Sequence, residues 1–97
     1  MYTRVVRFTN VDKDRIKDMQ ARIEASDGPP EGVKATGLTV LLDEGQGTAI
    51  VLQRFATEAD MEAGAQIFAA MDAGETPGTR ASVDMCELIL QREMQDA

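Results

Sequence analysis

Three residues carry the most usable chemistry in this chain: Tyr2, Arg4 and Arg54. In an extended stretch Tyr2 and Arg4 fall on one face with Val6 and Phe8. Arg54 falls with Ile50 and Leu52 in a second extended stretch. If the two stretches pair antiparallel, both guanidinium groups sit near one rim of a sheet, beside a phenol. Two such groups could hold a carboxylate or phenolate by bidentate hydrogen bonds. The plainer reading, which the sequence favours, is that each arginine pairs with a nearby acid such as Glu24 or Glu58 and closes the rim of the core. Asp84 interrupts an otherwise apolar stretch. It could serve as a base with a raised pKa, although a place at the exposed end of a strand explains it more simply.

Cys86 shares the parity of Asp84. With no His in the chain to activate it, it reads as a small core hydrophobe. Gln53 and Arg7 read as polar contacts on the sheet face turned away from the helices. Met19, Met61, Met71 and Met85, with Phe8 and Phe68, form a soft apolar set suited to core packing or to the walls of a permissive pocket. The candidate ligand-binding set is therefore Tyr2, Arg4, Arg54, Asp84, Phe8 and Phe68. No catalytic residue is singled out, and no metal or cofactor is expected.

Composition limits the alternatives. The 97 residues suit one domain, 1–97. The net charge is −7, and its distribution is uneven: residues 1–34 hold seven basic and six acidic side chains, residues 35–97 three and eleven. Such a chain repels phosphate backbones, so no nucleic-acid partner is expected. There is no His and no Trp, so the commonest general base and transition-metal ligand are missing. No apolar run approaches the roughly 20 residues that span a bilayer. The opening MYTRVVRFTN lacks a signal-peptide core, and the cysteine is single. A cytoplasmic protein with no membrane partner is the expectation.

These residues are positioned by six elements. Tyr2 to Thr9 reads as a strand. Asn10 offers a helix cap, and Ile16, Met19 and Ile23 make one apolar stripe on a helix from about Val11 to Ser26, stopped by Asp27-Gly28-Pro29-Pro30. Gly37 to Phe55 reads as a hairpin about a Glu44-Gly45-Gln46-Gly47 turn. Thr57 heads a near-capping box for a second helix over about 58–73, with Met61, Ala65, Phe68 and Met71 inward. Gly64 within it could allow close approach to the sheet, and Gly74 and Pro77 end it. Arg80 to Leu90 reads as a strand, followed by a polar tail from Gln91. The order β-α-β-β-α-β predicts a ferredoxin-like α+β fold: an antiparallel sheet of order 4-1-3-2 with both helices on one face.

Neither hairpin strand has a polar face. Leu38, Val40, Leu42, Ile50 and Leu52 are assigned to the helix side, and Val5, Leu41, Val51, Met85 and Ile89 to the open side. An apolar open side predicts a homodimer through the sheet.

The VVRF strand before an Asp-rich helix start, the G-x-T-V-L-L-D-x-G-x-G hairpin, and Phe55 before ATEADMEAG together resemble the dimeric α/β-barrel superfamily. Within it the chain is similar to proteins related to antibiotic-biosynthesis monooxygenases, many of which have Trp where Phe55 stands. The resemblance spans nearly the whole chain. It implies a homodimer whose sheets form a barrel, with a cavity in each subunit between sheet and helices. In the family's enzymes that cavity holds an aromatic or polyketide-like substrate, oxidised by O2 without metal or flavin. The superfamily's haem degraders use His, Trp and Asn, and this chain has no His or Trp. The favoured reading is a small-molecule-binding or non-catalytic homodimer with a hydrophobic ligand. The alternative is a cofactor-independent monooxygenase-like enzyme, and a cavity above roughly 300 Å3 with Arg4, Arg54 or Asp84 opening into it is the feature that favours it.

Overall fold

The computed structural model describes residues 1–70 and 76–94. The elements run β1 (Tyr2–Thr9), α1 (Lys13–Ala25), β2 (Ala35–Asp43), β3 (Thr48–Phe55), α2 (Glu58–Ala69) and β4 (Thr79–Glu87). They form one four-stranded antiparallel sheet of order β2-β3-β1-β4 with the helices on one face, the ferredoxin-like arrangement expected from the element order. Among the described residues no helix is long and apolar enough to cross a membrane.

Both helices start on side-chain caps, which satisfy orphan backbone donors. The Asp12 carboxylate accepts from Asp14 N at 2.8 Å, and the Thr57 hydroxyl accepts from Asp60 N at 3.1 Å. Asn10, expected to cap the first helix, instead takes a left-handed φ of 51° and turns the chain out of β1, two residues before the real cap. Ser26 closes α1 by donating its hydroxyl to Ile23 O. α2 ends at Ala69 with Ala70 as its C-cap, short of the expected residue 73; Met71 and Gly74 lie outside the described residues. The last strand stops short of the expected Leu90. Leu88 N bonds to Met1 O at 2.9 Å, and there the neighbouring strand runs out, so Ile89 and Leu90 have no ladder to join.

Register decides which side chains meet. Asp43 pairs with Thr48 across the four-residue loop 44–47, so even positions of β2 face odd positions of β3: Leu38 faces Gln53 and Val40 faces Val51. β1 continues the pattern, with Arg4 opposite Gln53 and Val6 opposite Val51. The helix side of β3 is thus Ala49, Val51, Gln53 and Phe55, all buried. This reverses the face expected for that strand. Ile50, Leu52 and Arg54 lie on the open side, and Val51 and Gln53 under the helices. Met85 pairs with Arg4, so it too turns to the helix side, not the open one. Both parities of β3 are apolar, so alternation alone could not choose between them; the count of loop residues does.

Two clusters make the core. Val6, Phe8 and Val51 pack with Val11 and Val40. Val33, Phe55 and Met61 pack with Tyr2, Ala35, Ile67 and Phe68. α2 lies close to the sheet because Gly64 faces Phe55, the most deeply buried ring in the chain. α1 buries only Ile16 and stands off the sheet. β4 is an edge strand, and all nine of its residues are exposed. Cys86 is therefore exposed on the open face, contrary to the core position expected from its apolar neighbours. The open face carries Val5 and Arg7 of β1, Leu41 of β2, Ile50, Leu52 and Arg54 of β3, and Asp84 and Cys86 of β4.

A Cβ at position 64 would lie 2.9 Å from Phe55 Cε1. Gly64→Ala should therefore destabilise the protein by about 1–2 kcal/mol, overpacking outweighing the gain in helix propensity. Gly28→Ala, with open space around it, should change stability by less than about 0.5 kcal/mol. Urea denaturation of the two variants checks the contrast.

Candidate functional site

The one buried cation of the sheet stands where the two central strands meet. Arg4 of β1 and Gln53 of β3 are direct cross-strand partners on the helix side, and both are buried. Arg4 Nη1 donates to Gln53 Oε1 at 2.9 Å. The guanidinium carbon lies 5.3 Å from the centroid of the Phe68 ring, within cation–π range. Arg4 Nε is buried with no acceptor. Burial, and secondarily the charge of Arg80, pull the Arg4 pKa below its ordinary value. A guanidinium nonetheless keeps its proton at neutral pH, so the site holds a full positive charge.

Arg80 reaches the same region through an irregularity in the sheet. The β1–β4 register shifts between Arg7 and Phe8, which puts Arg80 opposite Phe8. Its Nη2 donates to Phe68 O at 3.3 Å. Among the described residues no carboxylate pairs with Arg4 or Arg80. An ion pair of Lys13 with Glu44 at 3.0 Å is exposed. Glu24, expected as a partner for an arginine, instead accepts from Gln20.

These groups line a cavity of about 710 Å3 between α1 and the sheet, a volume typical of small-molecule sites. Val6, Phe8 and Val51 form the sheet side, Met19 and Ile23 come from α1, Phe68 from α2 and Leu38 from β2. The loop 26–30 and Pro77 close the ends, and Arg22 and Asp27 add charge to the wall. The cavity exists because α1 has little to bury. Its inward stripe is three apolar residues, and the sheet offers a guanidinium and an amide where close packing would require carbon. A polar pair left under apolar side chains would lose its remaining hydration.

The structure brings Arg4, Phe8 and Phe68 together on this cavity. Tyr2 shares the face of Arg4 but packs into the Phe55 cluster. Arg54 lies on the opposite side of the sheet, where its Nη1 donates to Thr39 Oγ1 at 2.7 Å and its guanidinium covers Gly37. The expected shared rim of Arg4 and Arg54 is corrected by the odd register of the strands. Asp84 pairs with Val5 on the open face and is exposed; it meets neither arginine of the cavity. Met19 lines the cavity, Met61 is core, and Met71 lies outside the described residues. Gln53 and Arg80 are the functional-looking residues that sequence reasoning placed elsewhere or passed over. The four-residue turn 44–47 pairs Leu38 with Gln53 and so puts Gln53 on the helix side, the face that alternation gives Arg4; their direct pairing is set by the β1–β3 register. No sequence signal announces the bulge that delivers Arg80. Among the described residues no group of three or more His, Cys, Asp or Glu side chains is arranged to hold a metal ion.

No protein-family model matches the chain, and no curated protein matches it. Among solved structures it is similar to a mutant of MhuD crystallised with two manganese protoporphyrin IX bound per active site. The TM-score is 0.59 at 13% identity, covering 96% of this chain and 99% of that one. Identity this low speaks to fold alone, and it supports the ferredoxin-like fold.

Gln53→Leu leaves Arg4 without its acceptor and should cost about 1–3 kcal/mol. Adding Arg4→Met, which removes the charge as well, should return stability to at least the wild-type level. Urea midpoints of the single and double variants measure the difference.

Proposed function

We propose that the chain is a small-molecule-binding homodimer of the dimeric α/β-barrel superfamily, related to the antibiotic-biosynthesis monooxygenases, and that each subunit takes a hydrophobic ligand between α1 and the sheet. The observation that carries this reading is the 710 Å3 apolar cavity left open by a helix that buries one residue. The solved structure of the same fold, which holds a porphyrin in its active site, supports a ligand in this kind of scaffold. Binding without catalysis is the first reading because the buried polar groups, Arg4 and Gln53, can hold and orient but neither accepts a proton at neutral pH. In this reading the protein works as a single domain, 1–97, in the cytoplasm, without metal, cofactor or nucleic acid.

The dimer would form through the open face of the sheet. Leu41 is half exposed there, next to Ile50, Leu52 and Val5, and two such faces stacked would cover one another. Arg54 and Asp84 would lie in or beside that interface and are assigned to it in preference to the ligand. Light scattering should give twice the chain mass at micromolar concentration, and Leu41→Glu with Leu52→Glu should give the monomer. A monomeric wild type would refute the barrel.

Ligand binding is tested with the uncharged dye N-phenyl-1-naphthylamine. It should bind saturably at one site per chain, and Leu38→Trp, at the cavity wall, should weaken it at least fivefold. Linear, non-saturating fluorescence would sink the reading. The cavity's size with Arg4 opening into it favours a second reading, a cofactor-independent oxygenase whose aromatic or polyketide-like substrate sits as a phenolate on Arg4. Oxygen uptake with anthrones and hydroquinones decides it: turnover above the uncatalysed rate, lost in Arg4→Met, is the result it requires.

A further inference from the structure

We propose that the natural ligand is an amphipathic anion, an apolar body carrying one carboxylate or comparable acidic group, seated with its acid on the Nε–Nη2 edge of Arg4 and its body against Phe8, Val51, Met19 and Ile23. This rests on the cavity reading above and names the chemical class the cavity selects.

Arg4 is 3% exposed, yet among the described residues its only hydrogen bond is the one from Nη1 to Gln53, and Nε has no acceptor there. A buried charge normally has a counter-charge and filled donors. Here the neighbouring formal charge is another cation, Arg80, whose own bond goes to a backbone carbonyl. Gln53 occupies the one amino group that the side-on fork does not use. The edge that remains, Nε with Nη2, carries two parallel N–H groups, the geometry that matches a carboxylate; Nε is covered in the empty protein, so seating an acid there requires the guanidinium to slide within its own plane beneath Phe68. Phe68 stacks over the guanidinium and limits its rotation, so the fork stays in one plane. The rest of the wall is mostly carbon, and it fits an apolar body better than a second polar group. The same charge that strains the empty protein would be neutralised by an acid and by no uncharged ligand.

The rest of the chain argues that this charge is local. The net charge is −7, so long-range attraction of anions is not the role of these arginines; they act at contact.

The test compares 1-pyrenebutyrate with its primary amide, equal in shape and different in charge, by fluorescence titration at pH 7. The wild type should bind the acid at least tenfold tighter than the amide. In Arg4→Met the two should bind within twofold, with the affinity for the amide retained. Arg80→Gln should reduce the preference about threefold. If Arg4→Met does not fold, the Nε–H resonance of Arg4 in the wild type, observed by NMR, should shift with the acid and not with the amide. Equal binding of acid and amide by the wild type, or a preference unchanged in Arg4→Met, would overturn the anion proposal and leave the cavity reading standing. Failure of both probes to bind at millimolar concentration would overturn the cavity reading and this inference with it.

Discussion

One buried guanidinium organises the molecule's interior. Arg4 sits at the centre of the sheet, tied to Gln53 on the next strand and roofed by Phe68 of α2. A charge there prevents the usual outcome for a βαββαβ chain, in which both helices press onto the sheet and the layer between them fills with carbon. α2 does press down, through Gly64 against Phe55. α1, with few apolar side chains to offer, stays off. The layer is therefore half core and half cavity, and the boundary between them passes through Phe68, which belongs to both.

That arrangement costs stability in the empty protein, because desolvating a cation without a counter-ion is unfavourable. The cost is bearable because the other half of the layer is well packed: Phe55, Val33 and Met61 are buried. Site and core are in this sense complementary. The close approach at one helix makes room for the open approach at the other, and the polar pair at the centre draws the line.

Much of this was legible beforehand, and the illegible part has a clear physical origin. Element order follows from period-two and helical stripes bounded by Gly, Pro and capping residues, and Thr57 and Gly64 do what their types suggest. Tyr2, Arg4, Val6 and Phe8 share the inward face as alternation requires. The face of β3 was not legible from hydrophobicity, because Ile50 and Leu52 are as apolar as Ala49 and Val51. The partner of Arg4 was misplaced with it. Exposure of Cys86 was invisible for another reason: its apolar neighbours lie on an edge strand whose residues are all exposed, and apolar composition does not tell an edge strand from a central one. The separation of α1 from the sheet depends on what lies beneath the helix, which the helix's own sequence does not record.

The loop from Glu44 to Gly47 carries a consequence for how such a chain can diverge. An insertion or deletion of one residue there would leave both hairpin strands intact in composition and nearly intact in propensity, but would turn one of them over. Gln53 would leave the interior and Arg54 would enter it. A single-codon change in a surface loop, remote from any cavity wall, is thus a route by which this scaffold can exchange its inner lining for its outer one, and relatives that differ in that loop's length should not be expected to keep the same residues inside.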